Sequence, residues 1–278
     1  MANNLQTTPE EELFTGGHGG CRGCGAAIAT RQALKALGSR TMVVIPASCM
    51  ATIGGSGLTT AWEVPFYHTL FECSAAVASG IRAALDIRGI GDIAAISWAG
   101  DAGTADIGFQ SLSGAAERGE DIIHVCYDNE AYMNTGGQAG GLTPGLARTT
   151  DTPSGKPTRK KDLLAIMAAH QPAYLATASV AYPEDLMAKF QKAREIKGFR
   201  YIHILAPCYR GWKIPAARTV EFARLAVESG LWELYEMVDG QKKITCRPER
   251  RIPAGDYLRP QGRFQGFAEE EILALYHN

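Results

Sequence analysis

Four of the seven cysteines in this 278-residue chain could share one chemical task. Cys21 and Cys24 form C-R-G-C, Cys49 lies in P-A-S-C-M and Cys208 in A-P-C-Y-R-G-W, each in a Gly- or Pro-marked stretch that reads as loop. Such a thiolate set suits a tetrahedral four-sulfur metal site or an iron–sulfur cluster. The residues alone also allow a redox C-x-x-C pair, or half of a zinc site with Cys49 and Cys208 as buried apolar residues. Ligand type does not separate zinc from iron. Cys73, opening a helix, and Cys126, inside an apolar run, read as core residues, and Cys246 lies in a charged tail.

A second group lies between Cys49 and Cys208. Gly100-Asp101-Ala102 and Asp128-Asn129 each follow an apolar run, and Asp101 and Asn129 are 28 residues apart. In an open parallel sheet, ligands bind at the carboxyl ends of strands. Glycine there lets the backbone approach a pyrophosphate, and a helix starting near Ala105 would add its positive dipole end. An Asp and an Asn on adjacent loops supply hard oxygen ligands for Mg²⁺, which diphosphate oxygens and a backbone carbonyl can complete. Each turn is common by itself; paired at strand ends, they point to a metal–diphosphate site.

The elements that must position these groups follow from the apolar pattern. Strands are predicted over Met42–Ile45, Ile93–Trp98, Ile122–Tyr127, Tyr174–Ala178 and Tyr201–Leu205, nearly continuous apolar runs of the kind covered on both faces. Helices are predicted over Ala26–Leu37, Ser74–Arg88, Ile107–Arg118, Lys161–His170, Pro183–Ile196 and Thr219–Ser229. Alternation of the two predicts an α/β fold, a parallel sheet with helices on both faces. Asn134–Pro157, rich in Gly, Pro and Thr, reads as a long functional loop. Residues 1–230 form the cofactor-binding unit in this reading. Residues 231–278 hold a strand-like hairpin (Tyr235–Thr245) and an irregular tail, read as an arm packing on a partner subunit.

Composition narrows the classes. Apolar residues make up 46% and charged residues 21%, as in an ordinary globular chain, and the length can hold one large α/β domain or two small ones. A net charge of −1 without a long basic run argues against nucleic acid. No apolar stretch is long enough to span a membrane, and the polar N-terminus lacks a secretion signal, so a cytoplasmic location is expected. An odd number of cysteines favours metal or redox use over a disulfide frame.

Longer motifs carry a family resemblance. G-H-x-x-C-x-G-C-G, F-E-x-x-A-A-V-A-S-G-I, G-D-x-G-T-x-D-I-G-x-Q-S-L-S-G, Y-D-N-E-x-Y-M-N-T-G and A-P-C-x-R-G-W occur in order from about Leu13 to Pro248. The chain thereby resembles the β subunit of 2-oxoacid:ferredoxin oxidoreductases, the pyruvate synthase family. The resemblance implies the pyrophosphate-binding half of a thiamine-diphosphate enzyme, with a [4Fe–4S] cluster on Cys21, Cys24, Cys49 and Cys208. It implies Asp101, Asn129 and the Ala131 carbonyl as Mg²⁺ ligands, and Gly100 and Ala102 along the diphosphate. Asn134 would face the thiazolium and substrate, and Cys49, His18 and Glu72 would lie near the cofactor. His18 reads equally as a loop histidine capping backbone groups, and Glu72 as a helix-start carboxylate.

The implied reaction is coenzyme A-dependent oxidative decarboxylation of a 2-oxoacid, pyruvate by default. An aryl 2-oxoacid such as phenylglyoxylate, or oxalate, is the alternative. A non-redox thiamine decarboxylase or synthase is a more distant reading, with no need for the cysteines. A zinc-stabilised scaffold would not explain the Asp101–Asn129 pair. No C-x₂-C-x₂-C-x₃-C relay and no second α/β domain are found. The resemblance therefore implies an α-type subunit covering the pyrimidine, γ-type and ferredoxin-like δ-type subunits, and ferredoxin or another external acceptor. Departures from the family pattern are Ala102 for a glycine-like position, Gly19 for an Arg, Ser56–Thr60 for an aromatic segment, and Gly137–Gly141 for an x-Q-R-S-G run. The last three remove bulk or charge, which would leave room for a larger substrate.

Overall fold

A computed structural model of the chain describes residues 9–276. Its centre is an eight-stranded sheet in the order β2-β1-β3-β4-β6-β5-β7-β8. Strands β1 (Thr41–Pro46), β2 (Phe66–Thr69), β3 (Ala94–Gly100), β4 (Ile123–Asp128), β5 (Tyr174–Ser179) and β6 (Arg200–Leu205) pair in parallel. β7 (Leu234–Val238) joins β5 antiparallel, and β8 (Gln241–Cys246) joins β7. All five expected strands are present within two residues. The addition, β2, is a four-residue edge strand, F-Y-H-T, only partly buried. Its mixed polarity hid it.

Successive side chains along a strand point to opposite faces, and both faces here are covered. Val43, Ile45, Ile96, Trp98, Ile123, Val125, Ile202 and Ile204 pack with α1 (Gly25–Leu37) and, across the sequence, α7 (Pro183–Glu195). Their neighbours Val44, Ala95, Cys126, Leu175 and Tyr201 pack on the other face with α3 (Ser74–Ile87), α5 (Phe109–Glu117) and α6 (Leu163–Ala169). Burial on both sides is why these strands are apolar throughout. It also makes Cys126 a core residue. Helix ends follow local rules: Pro183 opens α7, with Glu184 and Asp185 in its first turn and Lys192 and Arg194 in its last.

Three short helices escape the periodic pattern and carry site residues or their neighbours: α2 (Cys49–Gly54), α4 (Asp101–Ala105) and α8 (Tyr209–Trp212). The helix expected to start near Ala105 in fact begins at Asp101 itself, then breaks and resumes as α5. The remaining helices are α9 (Thr219–Glu228), α10 (Ala254–Leu258) and α11 (Glu269–Tyr276).

The tail beyond residue 230 is not detached from the rest. The hairpin β7–β8 extends the sheet. Tyr257, Leu258, Phe264 and Ile272 are buried with Trp212, Ile214, Phe222 and Trp232 in a third apolar cluster of this same chain. Among the described residues no helix is long and apolar enough to cross a membrane.

Candidate cofactor site

The site is assembled at the carboxyl ends of four neighbouring strands. β1 leads to Ser48, whose hydroxyl accepts from Ala51 N (3.4 Å) and caps the helix beginning at Cys49. β3 leads to Asp101, β4 to Asn129, and β6 through Ala206-Pro207 to Cys208. Cys24 caps α1, and the next residue, Gly25, donates its N–H to Pro207 O at 3.3 Å, tying the first cysteine pair to the fourth. Here glycine is required by contact: a Cβ on Gly25 would lie 2.6 Å from the Ala206 carbonyl carbon. Gly23, at φ +65°, would place a Cβ 2.1 Å from Ala216 O. Gly25→Val should therefore push α1 off the β6 exit and lower iron retention. A variant with unchanged iron content would show that this contact does not set the cysteine spacing.

Cys21, Cys24, Cys49 and Cys208 all line one cavity of about 770 Å³, together with Asn129, Met133 and Asn134. All four are free thiols. Burial pushes the Cys49 thiol up to about 12, with Cys208 and then Cys24 adding to it. Burial likewise raises Cys24 and Cys208, against N–H groups that favour their thiolates: those of Ala27 and Ala26 at Cys24, and of Gly211 and Arg210 at Cys208. Among the described residues no three His, Cys, Asp or Glu side chains converge closely enough to hold one metal ion. Four cysteine sulfurs on one cavity suit a four-sulfur metal site or an iron–sulfur cluster.

A smaller cavity of about 120 Å³ adjoins it, lined by Gly100, Asp101, Ala102, Tyr127, Ala131 and Tyr132, and sharing Cys49, Asn129, Met133 and Asn134 with the first. One end of the Asn129 amide lies 2.8 Å from Ala131 O and 3.2 Å from Asp101 Oδ1. With nitrogen at that end, the amide donates to both acceptors. With oxygen there, three oxygens converge, an arrangement only a cation stabilises. Asp101 is buried and its Oδ2 has no hydrogen-bond partner. Burial, then the Asp128 charge, raises its pKa well above the carboxylate range. An unsatisfied buried carboxyl is costly, and a bound Mg²⁺ would relieve it. The donor set fits the hard-oxygen ligation expected of Mg²⁺ with diphosphate.

What holds the Asp128-Asn129-Glu130 turn was not evident from sequence. Glu130 adopts φ +64°, and its N–H donates to Asp128 Oδ1 at 2.9 Å. Lys160 Nζ bridges Asp128 Oδ2 (3.0 Å) and Glu130 Oε1 (2.9 Å), His203 Nε2 lies 3.0 Å from Asp128 Oδ2, and Arg263 Nη2 donates to Glu130 Oε2 at 2.6 Å. Trp212 Nε1 donates to Asn129 O at 2.9 Å. Burial alone would raise Asp128; Lys160 and then His203 outweigh it and hold the carboxylate below its usual range. The tail therefore reaches the cofactor turn through Arg263, which also stacks 4.1 Å over Trp212. Arg263→Met leaves Glu130 buried with one cation fewer and should cost about 3–5 kcal/mol. A change in denaturant midpoint equivalent to under about 1 kcal/mol would remove this role.

The other candidates divide. Asn134 borders both cavities, and Thr52 donates to its Oδ1 at 3.3 Å. His18 lines neither: its ring stacks on Phe14 and its Nδ1 accepts from Gly20 N at 3.1 Å, the backbone-capping arrangement. Glu72 also lines neither cavity, and stands beside Phe71, which lines the smaller. The long loop supplies Asn134, Gly137, Arg148 and Thr149 to the larger cavity. Of the bulk-removing departures, Gly19 and Gly137 line that cavity, and Ser56–Thr60 does not.

Comparison with known proteins places the chain in a family. Residues 47–204 match the family described as thiamine pyrophosphate enzyme, C-terminal TPP binding domain. Pyruvate synthase subunit PorB of Methanothermobacter marburgensis is 52% identical over 268 residues, 95% of this chain and 93% of that protein. Ketoisovalerate oxidoreductase subunit VorB of Pyrococcus abyssi is 45% identical over 281 residues, 97% of this chain and 90% of that protein. A solved structure of 2-oxoglutarate:ferredoxin oxidoreductase from Magnetococcus marinus shares the fold, with a TM-score of 0.64 at 19% identity over 99% of this chain and 97% of that one. A thiamine-diphosphate domain built on the strand ends that carry Asp101 and Asn129, and subunit relatives aligned nearly end to end, give one conclusion: the chain belongs to the β subunits of the 2-oxoacid:ferredoxin oxidoreductases, the pyruvate synthase family.

Proposed function

We propose that this chain, within a multi-subunit complex, takes part in coenzyme A-dependent oxidative decarboxylation of a 2-oxoacid, pyruvate first, with electrons leaving through a [4Fe–4S] cluster to ferredoxin or another acceptor. The observation that carries this reading is adjacency. The Asp101–Asn129–Ala131 oxygens and the four cysteines line two cavities that share Cys49, Asn129, Met133 and Asn134.

When bound, thiamine diphosphate supplies an electron sink for the carbanion left by loss of CO₂. The chain's own part is to hold and shield. Asp101, Asn129 and the Ala131 carbonyl would hold Mg²⁺ and, through it, the diphosphate, beside Gly100 and Ala102. The Lys160–Glu130–Arg263 clamp fixes the turn that carries two of these ligands. Asn134 would orient the reacting carboxylate or carbonyl at the junction of the cavities. Cys21, Cys24, Cys49 and Cys208 would ligate the cluster, whose potential is tuned by burial and N–H groups. Exposed Leu70, beside cavity-lining Phe71, offers an apolar contact for an α-type subunit that would close the site against water. The γ-type and ferredoxin-like δ-type subunits would complete the relay. The seven cysteines form no disulfide, which suits a reducing compartment such as the cytoplasm.

A second reading, a bulkier 2-oxoacid such as a branched or aryl one, is favoured by Gly19 and Gly137 in the cavity wall. The test is dye-coupled turnover of the intact complex with coenzyme A and a panel of 2-oxoacids. Viologen reduction dependent on both substrates is expected, and its order across the panel decides between the readings. No reduction with any 2-oxoacid would overturn both. The purified chain alone should give no steady turnover, and measurable turnover there would refute the subunit reading.

A further inference from the structure

Apart from its four cysteines, the larger cavity carries charged side chains of one sign. Arg148, Arg210 and Lys213 border it, and no Asp or Glu does. Three fully buried arginines are ion-paired, Arg82 with Asp86, Arg200 with Asp121 and Arg263 with Glu130, whereas Arg148 is half-buried. Arg148 differs. Its guanidinium stacks 5.2 Å from the Phe267 ring and makes no hydrogen bond or ion pair among the described residues. Its backbone is fixed: Arg148 N donates to Arg263 O at 2.8 Å, and Thr150 N to Gly137 O at 3.0 Å. Among the described residues the Arg210 side chain donates only to Tyr209 Oη, at 3.1 Å.

A guanidinium carries five N–H donors in a rigid fork that matches carboxylate and phosphate oxygens. Held on an aromatic face beside a cavity without acidic groups, it is preorganised for an anion, so little ordering cost is left to binding. The cavity, about 770 Å³, also carries the four cysteines, so a substrate would take the part that a bound cluster leaves open.

We propose that Arg148 is the receptor for an oxyanion of a bound substrate, with Arg210 and Lys213 contributing to the same positive wall. The proposal rests on the function given above, which supplies two sources of that chemistry: a phosphate of coenzyme A and the carboxylate of the 2-oxoacid. The three cations on one wall favour the phosphate.

The test uses the intact complex with Arg148→Met, which keeps an apolar stem on Phe267, and Arg148→Lys, which keeps the charge. KM for coenzyme A and for the 2-oxoacid are measured separately. Calorimetric Kd values for coenzyme A and dephospho-coenzyme A give a readout independent of turnover. Loss of a charge-assisted bond should weaken binding roughly 10- to 100-fold in Arg148→Met, with partial recovery in Arg148→Lys. A rise in KM and Kd for coenzyme A, with its advantage over the dephospho form lost, assigns a phosphate. A rise confined to the 2-oxoacid KM assigns the carboxylate. Both KM values and Kd within twofold of wild type would overturn the proposal, as would a lower kcat and melting temperature without any change in binding. A wild-type complex inert toward every 2-oxoacid would instead overturn the proposed function, and the calorimetric difference between wild type and Arg148→Met would still decide for or against the Arg148 site.

Discussion

Asp101→Ala is expected to strip the chain of Mg²⁺ and thiamine diphosphate while leaving it folded. The two halves of this expectation have one cause. Asp101 is buried, its Oδ2 has no partner, and burial and Asp128 oppose its ionisation. In the ligand-free chain the carboxyl is a cost, because an unsatisfied buried polar group destabilises by about 1–3 kcal/mol. Its removal should leave the melting temperature unchanged or raised. Toward the cofactor it is the only charged group among the three proposed Mg²⁺ ligands. Its loss should weaken retention by more than the roughly 10- to 100-fold typical of outer-shell partners. Equilibrium dialysis of thiamine diphosphate with Mg²⁺, beside a thermal melt, reads both. Normal retention would exclude Asp101 as a ligand. A collapse of stability would make it a structural residue.

The second large effect is expected at Cys208. It lies 159 residues beyond Cys49 and further still from Cys21 and Cys24, yet the Gly25–Pro207 hydrogen bond and the shared cavity bring it to them. Cys208→Ser replaces a soft thiolate by a hard, neutral hydroxyl. Iron and acid-labile sulfide should fall to a small fraction of wild type while thiamine diphosphate retention persists, because Asp101 and Ala131 border a different cavity. Cys126→Ser, in the core of β4, and Cys73→Ser, before α3, should keep their iron. Full iron content in Cys208→Ser would break the four-ligand assignment, and iron loss in the two controls would make the readout one of general damage.

Much of the framework was legible because burial on both faces writes itself as continuous apolar runs; β1, β3, β4, β5 and β6 needed no more. The cysteines and the Asp101–Asn129 pair were legible because loop residues at strand ends are punctuated by Gly and Pro. Less visible were elements too short to show a period. β2 has four residues, and α2 and α4 are one or two turns that start at Cys49 and Asp101 themselves. The clamp on Glu130 was invisible, since nothing local marks a pairing of Glu130 with Arg263, 133 residues away. The anchoring of the tail to this chain is hidden from sequence for the same reason. Its helices are short and its aromatics irregularly spaced, yet Tyr257 and Phe264 are buried in this chain's own third cluster. Contact of its exposed face with a neighbour remains part of the proposal for the complex.

The most direct test of the central claim watches the cluster while the substrate reacts. The anaerobic intact complex is mixed with a 2-oxoacid and coenzyme A in the absence of any external acceptor, and its visible charge-transfer absorbance is followed. The proposed function passes electrons from decarboxylation to a cluster on the four cysteines, so the absorbance should bleach, and the bleaching should be lost in both Asp101→Ala and Cys208→Ser. A colourless complex, or a coloured one whose spectrum stays unchanged while CO₂ is released, would contradict the coupling of the two cavities.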